Sequence, residues 1–221
     1  MEARIDQVVS AGVLDEDGTT YDVENNTWIV GDDEEVIVID PGHDAAAVLD
    51  AVGEREILAV ICTHGHADHV AAALDVAERD EAPVALHPRD RMLWRDTHPD
   101  TEPDIEMADG GIFEVADVRL EVVHAAGHTR GSVCLYCEEL EAVFSGDVLL
   151  AGGPALYCGE FQDFPGQLTA IGEHLLTLPG DTRVLPGHGA ETTVAAAEKR
   201  FDSWVSGGPE ALIDSQDADT K

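Results

Sequence analysis

Four potential metal ligands lie within six residues of this chain: His64, His66, Asp68 and His69. An apolar run that ends at Thr63 precedes the cluster, and an apolar stripe at helical spacing follows it. The cluster therefore lies on a predicted strand-to-helix loop, where alternate side chains can point at one centre and Gly65 relieves crowding. Imidazole and carboxylate together suit zinc, and they also suit iron or manganese. Such spacing is rarely structural, so the segment predicts a metal centre.

Three later segments each place a ligand-capable residue beside glycine, next to a predicted strand. They contribute His128, Asp147 and His188. A single Gly-His or Gly-Asp pair is usually only a turn. Together with the first cluster, and in this order, the segments predict one shared site.

The alternation of apolar runs with Gly, Asp and Pro predicts short strands and a few helices. The strands are predicted at 27–30, 36–40, 59–63, 83–87, 118–124, 132–136, 142–146 and 183–186. The helices are predicted at 44–52, 69–79, 165–176 and 191–205. This order favours sheets covered by helices over an all-β sandwich. We expect one domain over residues 1–205 and an acidic, flexible tail over 206–221.

The charge balance is extreme, with 46 Asp and Glu against 12 Lys and Arg and a formal net charge of -34. The abundant Val, Leu, Ile and Ala argue against disorder. A compact protein with this surface repels itself in dilute salt, and molar salt screens that repulsion. The pattern resembles cytoplasmic proteins of salt-accumulating halophiles, and the alternative is an ordinary acidic protein. The charge opposes binding to nucleic acid.

The remaining composition predicts a cytoplasmic protein that acts on a small molecule and contacts no membrane. No apolar run approaches the length needed to cross a bilayer, and the N-terminal residues do not read as a signal peptide. Cys134 and Cys137 form a CxxC, but they lie three apart in a predicted strand and should face opposite ways. We therefore expect small buried cysteines. The oligomeric state is left open.

The motifs HxHxDH, GHT, GD and PGHG together resemble the metallo-β-lactamase superfamily, and their order is most similar to its glyoxalase II-like branch. The resemblance implies an α+β fold, a four-layer αββα sandwich with the site at one edge of two facing sheets. It implies two divalent ions per chain, expected to be zinc, with iron or manganese as alternatives. It also implies their ligands: His64, His66 and His128 for metal 1, Asp68, His69 and His188 for metal 2, and Asp147 bridging both.

The same resemblance implies a hydrolase in which a metal-bridging hydroxide attacks a thioester or related acyl substrate, with Asp68 orienting the nucleophile. One alternative is a mononuclear-iron persulfide dioxygenase, and another is a lactonase or β-lactamase-like hydrolase. A nuclease of the superfamily is disfavoured by the negative charge. The chain lacks the Gly-Arg pair that often follows the bridging Asp, and only 33 residues follow His188.

Two sets of other residues carry weaker expectations. Substrate-facing candidates lie in the 149–164 loop, together with Trp94 and Tyr157, although ordinary core packing is an equal alternative for these aromatic residues. The isolated histidines are expected to be packing or surface residues: His43, His87, His98, His124 and His174. Of these, His124 is the one near enough in sequence to His128 to support a ligand.

Overall fold

Two β-sheets form the centre of the molecule, in a computed structural model that describes residues 2–16, 19–156, 162–209 and 212. The first sheet follows the order of the chain. Its strands are β1 (Arg4–Glu16), β2 (Thr19–Gly31), β3 (Glu35–Ile39), β4 (Glu56–Ile61), β5 (Val84–Leu86) and β6 (Ile105–Glu106). β1 to β3 pair antiparallel, and β3 to β6 pair parallel. The carboxyl ends of β3 and β4 therefore meet at one edge.

In the second sheet, too, strands that are consecutive in the chain are neighbours in the sheet. Its strands are β7 (Ile112–Val115), β8 (Val118–His124), β9 (Val133–Cys137), β10 (Ala142–Gly146), β11 (Arg183–Pro186) and β12 (Thr192–Thr193). β10 and β11 are parallel, and the other neighbours are antiparallel. This topology places the carboxyl ends of β10 and β11 beside the loop that joins β8 to β9.

Helices cover the outer face of each sheet. The first sheet is covered by α1 (Ala45–Val52), α2 (Ala67–Val70), α3 (Ala73–Glu78) and α4 (Arg91–Thr97), with a 3-10 turn at Pro88–Asp90 before α4. The second sheet is covered by α5 (Phe164–Ala170), which continues as a π-helical segment at Ile171–Leu175, and by α6 (Val194–Gly207). In the part of the chain that is described, no helix combines the length and apolar character that a bilayer crossing requires.

Three buried clusters hold these layers together. Ile37 and Ile39 of β3 belong to the cluster between the sheets, with Phe144 of β10. Val36 and Val38 of the same strand face the other way, into the cluster beneath α1 and α3. Both faces of the strand are covered, which explains why its sequence is a continuous apolar run rather than an alternating one. A third cluster joins β10 and β11 to α5 and α6. The expected αββα sandwich is confirmed.

The long β1–β2 hairpin is the largest difference from the sequence-based expectation. The two strands pair residue by residue from Arg4 with Gly31 to Glu16 with Thr19. Only 27–30 was predicted as strand here, because Asp, Asn, Gly and Thr interrupt the apolar pattern of the rest. The cross-strand ladder provides the stability that the local pattern does not indicate.

The helix predictions also needed local correction. The run predicted at 69–79 is two helices, α2 and α3, and the helix predicted from residue 191 begins at Val194. α6 runs through Gly207, beyond the predicted start of the tail, and Leu212 is fully buried in the cluster that contains Trp204. Residues 210–211 and 213–221 of the predicted tail lie outside the described residues.

The cysteines behave as the strand geometry predicts. Cys134 belongs to the cluster beneath α5 and α6, whereas Cys137 belongs to the cluster between the sheets. Both are free and buried, as is Cys62. The CxxC is therefore two core positions on opposite faces of β9, and Cys158 lies outside the described residues.

Candidate metal centre

The ligand-bearing segments meet at the edge where β3, β4, β10 and β11 end. Two backbone hydrogen bonds join the edges of the two sheets there: Val133 N to Thr63 O (2.9 Å) and Asn26 N to Gly187 O (2.8 Å). The HxHxDH segment follows β4, the GHT segment lies between β8 and β9, and the acid and the last histidine follow β10 and β11. All seven predicted ligands are thus brought to one place.

One set of three imidazoles, the three-histidine group, consists of His64, His66 and His128. His66 Nδ1 lies 3.0 Å from His64 Nε2 and 3.0 Å from His128 Nε2. Burial lowers the pKa of His66 to about 3 and the pKa of His64 well below its usual value, and burial also lowers the pKa of His128. The rings are therefore neutral near pH 7, with lone pairs available. Two nitrogens about 2.0–2.1 Å from one tetrahedral ion would lie roughly 3.3 Å apart, close to the distances found.

The second set, the acid–histidine group, consists of Asp68, His69 and His188. His188 Nε2 lies 3.2 Å from His69 Nε2 and 3.3 Å from Asp68 Oδ2. Burial alone would lower the pKa of both imidazoles, but nearby carboxylates outweigh it. They raise the pKa of His188 to about 10 and that of His69 well above its usual range. Conversely, burial raises the pKa of Asp68, but the two histidines outweigh it and hold that pKa below its ordinary value.

Asp147 lies between the two groups. Its Oδ2 is 3.5 Å from His128 Nε2 and 3.4 Å from His188 Nε2, and its Oδ1 is 3.6 Å from His69 Nε2. Burial alone would raise the pKa of Asp147, but the nearby His188 and His69 outweigh burial and hold that pKa well below its usual value. The carboxylate therefore stays ionised. Its Oδ1 is buried without a hydrogen-bond partner. A buried carboxylate oxygen of this kind is expected to bind something, and the converging nitrogens and oxygens fit divalent cations.

Contacts behind the rings orient the acid–histidine group. His69 Nδ1 donates to Asp40 Oδ2 (3.0 Å), and His188 Nδ1 donates to the backbone oxygen of Glu24 (2.7 Å). These bonds leave Nε2 of each ring facing the centre. Asn25 Nδ2 donates to Asp68 Oδ2 (3.1 Å).

Asp40 and Asn25 were missed by the sequence-based reasoning. Asp40 follows β3 and precedes Pro41 and Gly42, which resembles the strand-then-acid pattern that singled out Asp147. That signal could have found it. Asn25 lies inside a strand with no distinguishing motif, so only its position opposite Asp68 reveals its role.

The loop that carries Asp147 is held from α5. Gln167 is fully buried, and its Nε2 donates to the backbone oxygens of Asp147 (3.1 Å) and Val148 (3.0 Å). Gly127 permits this approach, because a Cβ on it would lie 2.3 Å from Gln167 Cα. Asp163 caps α5 by accepting from Gly166 N (3.1 Å) and is not part of the centre.

The weaker expectations have mixed outcomes. Trp94 of α4 is 0% exposed and packs into the cluster beneath α1 and α3, with its Nε1 donating to Thr101 O (2.6 Å), so the substrate-facing interpretation was wrong for this residue. Tyr157 and the rest of 157–161 lie outside the described residues. His124 stacks on His87 with ring centroids 4.3 Å apart and donates to Arg130 O (3.0 Å), rather than contacting a predicted ligand.

Comparison with known families gives a match over most of the chain. The model of the metallo-beta-lactamase superfamily matches residues 20–199. A probable metallo-hydrolase, YqgX, from Bacillus subtilis (strain 168) is 32% identical over 189 residues, which cover 78% of this chain and 88% of that protein. A hydroxyacylglutathione hydrolase from Roseobacter denitrificans is 35% identical over 161 residues, which cover 72% of this chain and 58% of that longer protein.

A similar fold occurs among solved structures. TTHA1623 in a di-iron-bound form superposes with a TM-score of 0.71 at 31% sequence identity, covering 81% of this chain and 94% of that one. The similarity extends over nearly the whole of that structure.

Proposed function

The chain belongs to the metallo-β-lactamase superfamily, and on that premise we propose that it is a dinuclear metal-dependent hydrolase of a thioester or related acyl compound. The observation that carries the proposal is the position of Asp147, whose two oxygens lie 3.4–3.6 Å from ring nitrogens of both ligand groups. A carboxylate placed in this way is suited to bridge two cations.

In this proposal the three-histidine group holds one ion and the acid–histidine group holds the other, with Asp147 shared. Zinc suits the nitrogen-rich donor set, and iron suits it as well. When bound, the two ions supply Lewis acids that polarise a carbonyl oxygen and lower the pKa of water towards about 7.

The chain's own residues orient the reacting groups. Asn25 holds one oxygen of Asp68 (3.1 Å), so the Asp68 carboxylate keeps a set direction from which it can orient the attacking water. The serines nearest the motifs have other hydrogen-bond roles. Ser145 Oγ donates to Leu149 O (2.7 Å), and Ser132 Oγ lies 2.7 Å from Thr129 Oγ1. A serine nucleophile is therefore disfavoured, in support of attack by activated water.

The acyl class of substrate is supported by two observations. The Roseobacter relative, which is 35% identical over 161 residues and 72% of this chain, is named as a hydroxyacylglutathione hydrolase. The net charge of -34 disfavours polyanionic substrates such as nucleic acid. We therefore propose a small molecule with a cleavable acyl bond.

The test is metal analysis of freshly purified protein, followed by assays on thioesters, lactones and a β-lactam, with oxygen uptake measured on a persulfide. We expect two ions per chain and thioester hydrolysis without oxygen uptake. Full activity with one ion per chain would contradict the dinuclear proposal. Oxygen uptake with one iron per chain would establish the dioxygenase instead, and activity confined to lactones or β-lactams would replace the thioester assignment.

A further inference from the structure

Asp90 is a buried carboxylate outside the predicted ligand set. It ends the 3-10 turn that leads into α4, on the helix side of the first sheet, and it is 1% exposed. A charged group this deeply buried is costly unless it is hydrogen-bonded. Burial does raise the pKa of Asp90, and bonds from Thr129, Gly131 and Gly65 oppose that rise.

The partners of Asp90 come from both loops that carry the three-histidine group. Its Oδ2 accepts from Gly65 N (3.0 Å) and from Thr129 Oγ1 (2.6 Å), and its Oδ1 accepts from Gly131 N (2.6 Å). Gly65 lies between His64 and His66 in the chain, and Thr129 directly follows His128. One carboxylate therefore joins a loop after β4 of the first sheet to a loop before β9 of the second.

The approach of the two loops to Asp90 is close enough to require glycine. A Cβ on Gly131 would lie 2.6 Å from Asp90 Cγ, and a Cβ on Gly65 would lie 2.9 Å from the backbone oxygen of Asp90. Both glycines therefore serve this contact as well as the turn of the chain. The bonds from Asp90 to both loops thus set the separation between the His64–His66 pair and His128.

We propose that Asp90 is the positioning residue of the three-histidine site and determines its metal affinity, without touching the metal. The inference rests on the proposed function, because it assumes that this group holds an ion. Asp90 acts on the site through two backbone N–H groups and one hydroxyl. Its bonds reach Gly65, Thr129 and Gly131, which lie beside the three-histidine ligands, whereas Asp68 and His69 lie on α2 and His188 follows β11. Its effect should therefore fall mainly on one of the two ions.

The test is Asp90→Asn in the full chain, because the amide must turn its NH2 group towards at least one of three donors that now bind a carboxylate. Stepwise zinc titration in competition with a chromophoric chelator gives two dissociation constants, which His128→Ala assigns to their sites. We expect the constant of the three-histidine site to weaken by about 10–100-fold. The constant of the acid–histidine site should change much less.

Asp32→Asn is the matched control. Asp32 is 8% exposed and accepts from the backbone N–H groups of Glu34 (2.8 Å) and Glu35 (3.1 Å), at the opposite end of the first sheet. It should leave both constants unchanged. Thr129→Val, which removes the hydroxyl that binds both Asp90 and Ser132, should weaken the same constant by a smaller factor and serves if Asp90→Asn fails to fold.

The outcomes separate this inference from the proposed function. Parental constants in Asp90→Asn, or in Thr129→Val if the first variant does not fold, would overturn the positioning role. Equal weakening of both constants would also overturn it, since that result indicates general support of the fold. A parent protein that binds no zinc at these sites would overturn the proposed function, and the inference with it, before any variant is compared.

Discussion

The two ligand groups lie side by side, yet the pKa values of their histidines shift in opposite directions. The three imidazoles of the first group are buried, and burial lowers their pKa values, so they are neutral. In the second group, carboxylates lie close to the rings, and they raise the pKa of His188 to about 10 despite its burial. The comparison shows that the pKa of a buried histidine reflects a balance between burial, which lowers it, and the surrounding carboxylates, which raise it.

The two groups also differ in how they are held. Asp40 and the Glu24 backbone oxygen contact the rings of His69 and His188 directly. Asp90 instead contacts the loops beside His64, His66 and His128. One group is therefore oriented mainly at its side chains, and the other mainly at its backbone. Substitutions in each group should therefore have separable effects on the two ions.

Asp147→Asn should weaken metal binding at both groups. The change keeps the size of the side chain but removes its charge and one strong donor oxygen. We expect loss of both ions and a fall in turnover of several orders of magnitude, measured as metal content per chain and thioester hydrolysis. Asp163→Asn, which alters only the cap of α5, is the control and should keep both ions. Two retained ions with near-parental turnover in Asp147→Asn would show that the residue does not bridge.

His128→Ala and His188→Ala should separate the groups. His128→Ala is expected to lose the first ion and abolish hydrolysis while leaving the fold largely intact. His188→Ala should lose mainly the second ion and leave the first in place, since its ring contacts only one group. Metal content per chain and circular dichroism of both variants measure this. Loss of the same ion in both variants would contradict the division into two groups.

Asp40→Asn should weaken the acid–histidine site by about 10–100-fold, because His69 Nδ1 loses the carboxylate that orients its ring. Asp40 also accepts from Thr63 N and Thr63 Oγ1 (both 2.7 Å), beside His64, so the three-histidine site should weaken as well, but by a smaller factor. This is the reverse of the result expected for Asp90→Asn. The same competition titration measures both. If Asp40→Asn weakened mainly the three-histidine site, the proposed division of support would be wrong.

Salt should raise the stability of the protein without changing the relative zinc affinity of the two groups. With a net charge of -34, the thermal midpoint should rise from dilute buffer to molar potassium chloride as surface repulsion is screened. The surface field attracts cations to both sites alike, so the ratio of the two zinc constants should stay constant. A midpoint that stays flat or falls would contradict the halophilic interpretation.

Much of the fold was predictable because the relevant information is local. The apolar runs of β3, β4, β8 and β10 indicate strands by their residue types, and Asp44 indicates the start of α1, where it accepts from Ala47 N (3.0 Å). The β1–β2 hairpin was largely missed, since its stability comes from pairing across the two strands. Trp94 was assigned two alternative roles, and only its complete burial distinguishes core packing from substrate contact.

The side chains that are available to bind metal can be named from the sequence alone, because imidazole and carboxylate chemistry belongs to the residue type. The spacing of His64, His66, Asp68 and His69 also predicts that all four lie at one strand-to-helix junction. The tertiary structure was needed to learn how the ligands group, in which direction the pKa values of the histidines shift, and which acids support the ligands. Those properties depend on distances between segments far apart in the chain, such as Asp90 with Thr129 and Gly131. Burial and electrostatic interaction act through space, so no local pattern records them.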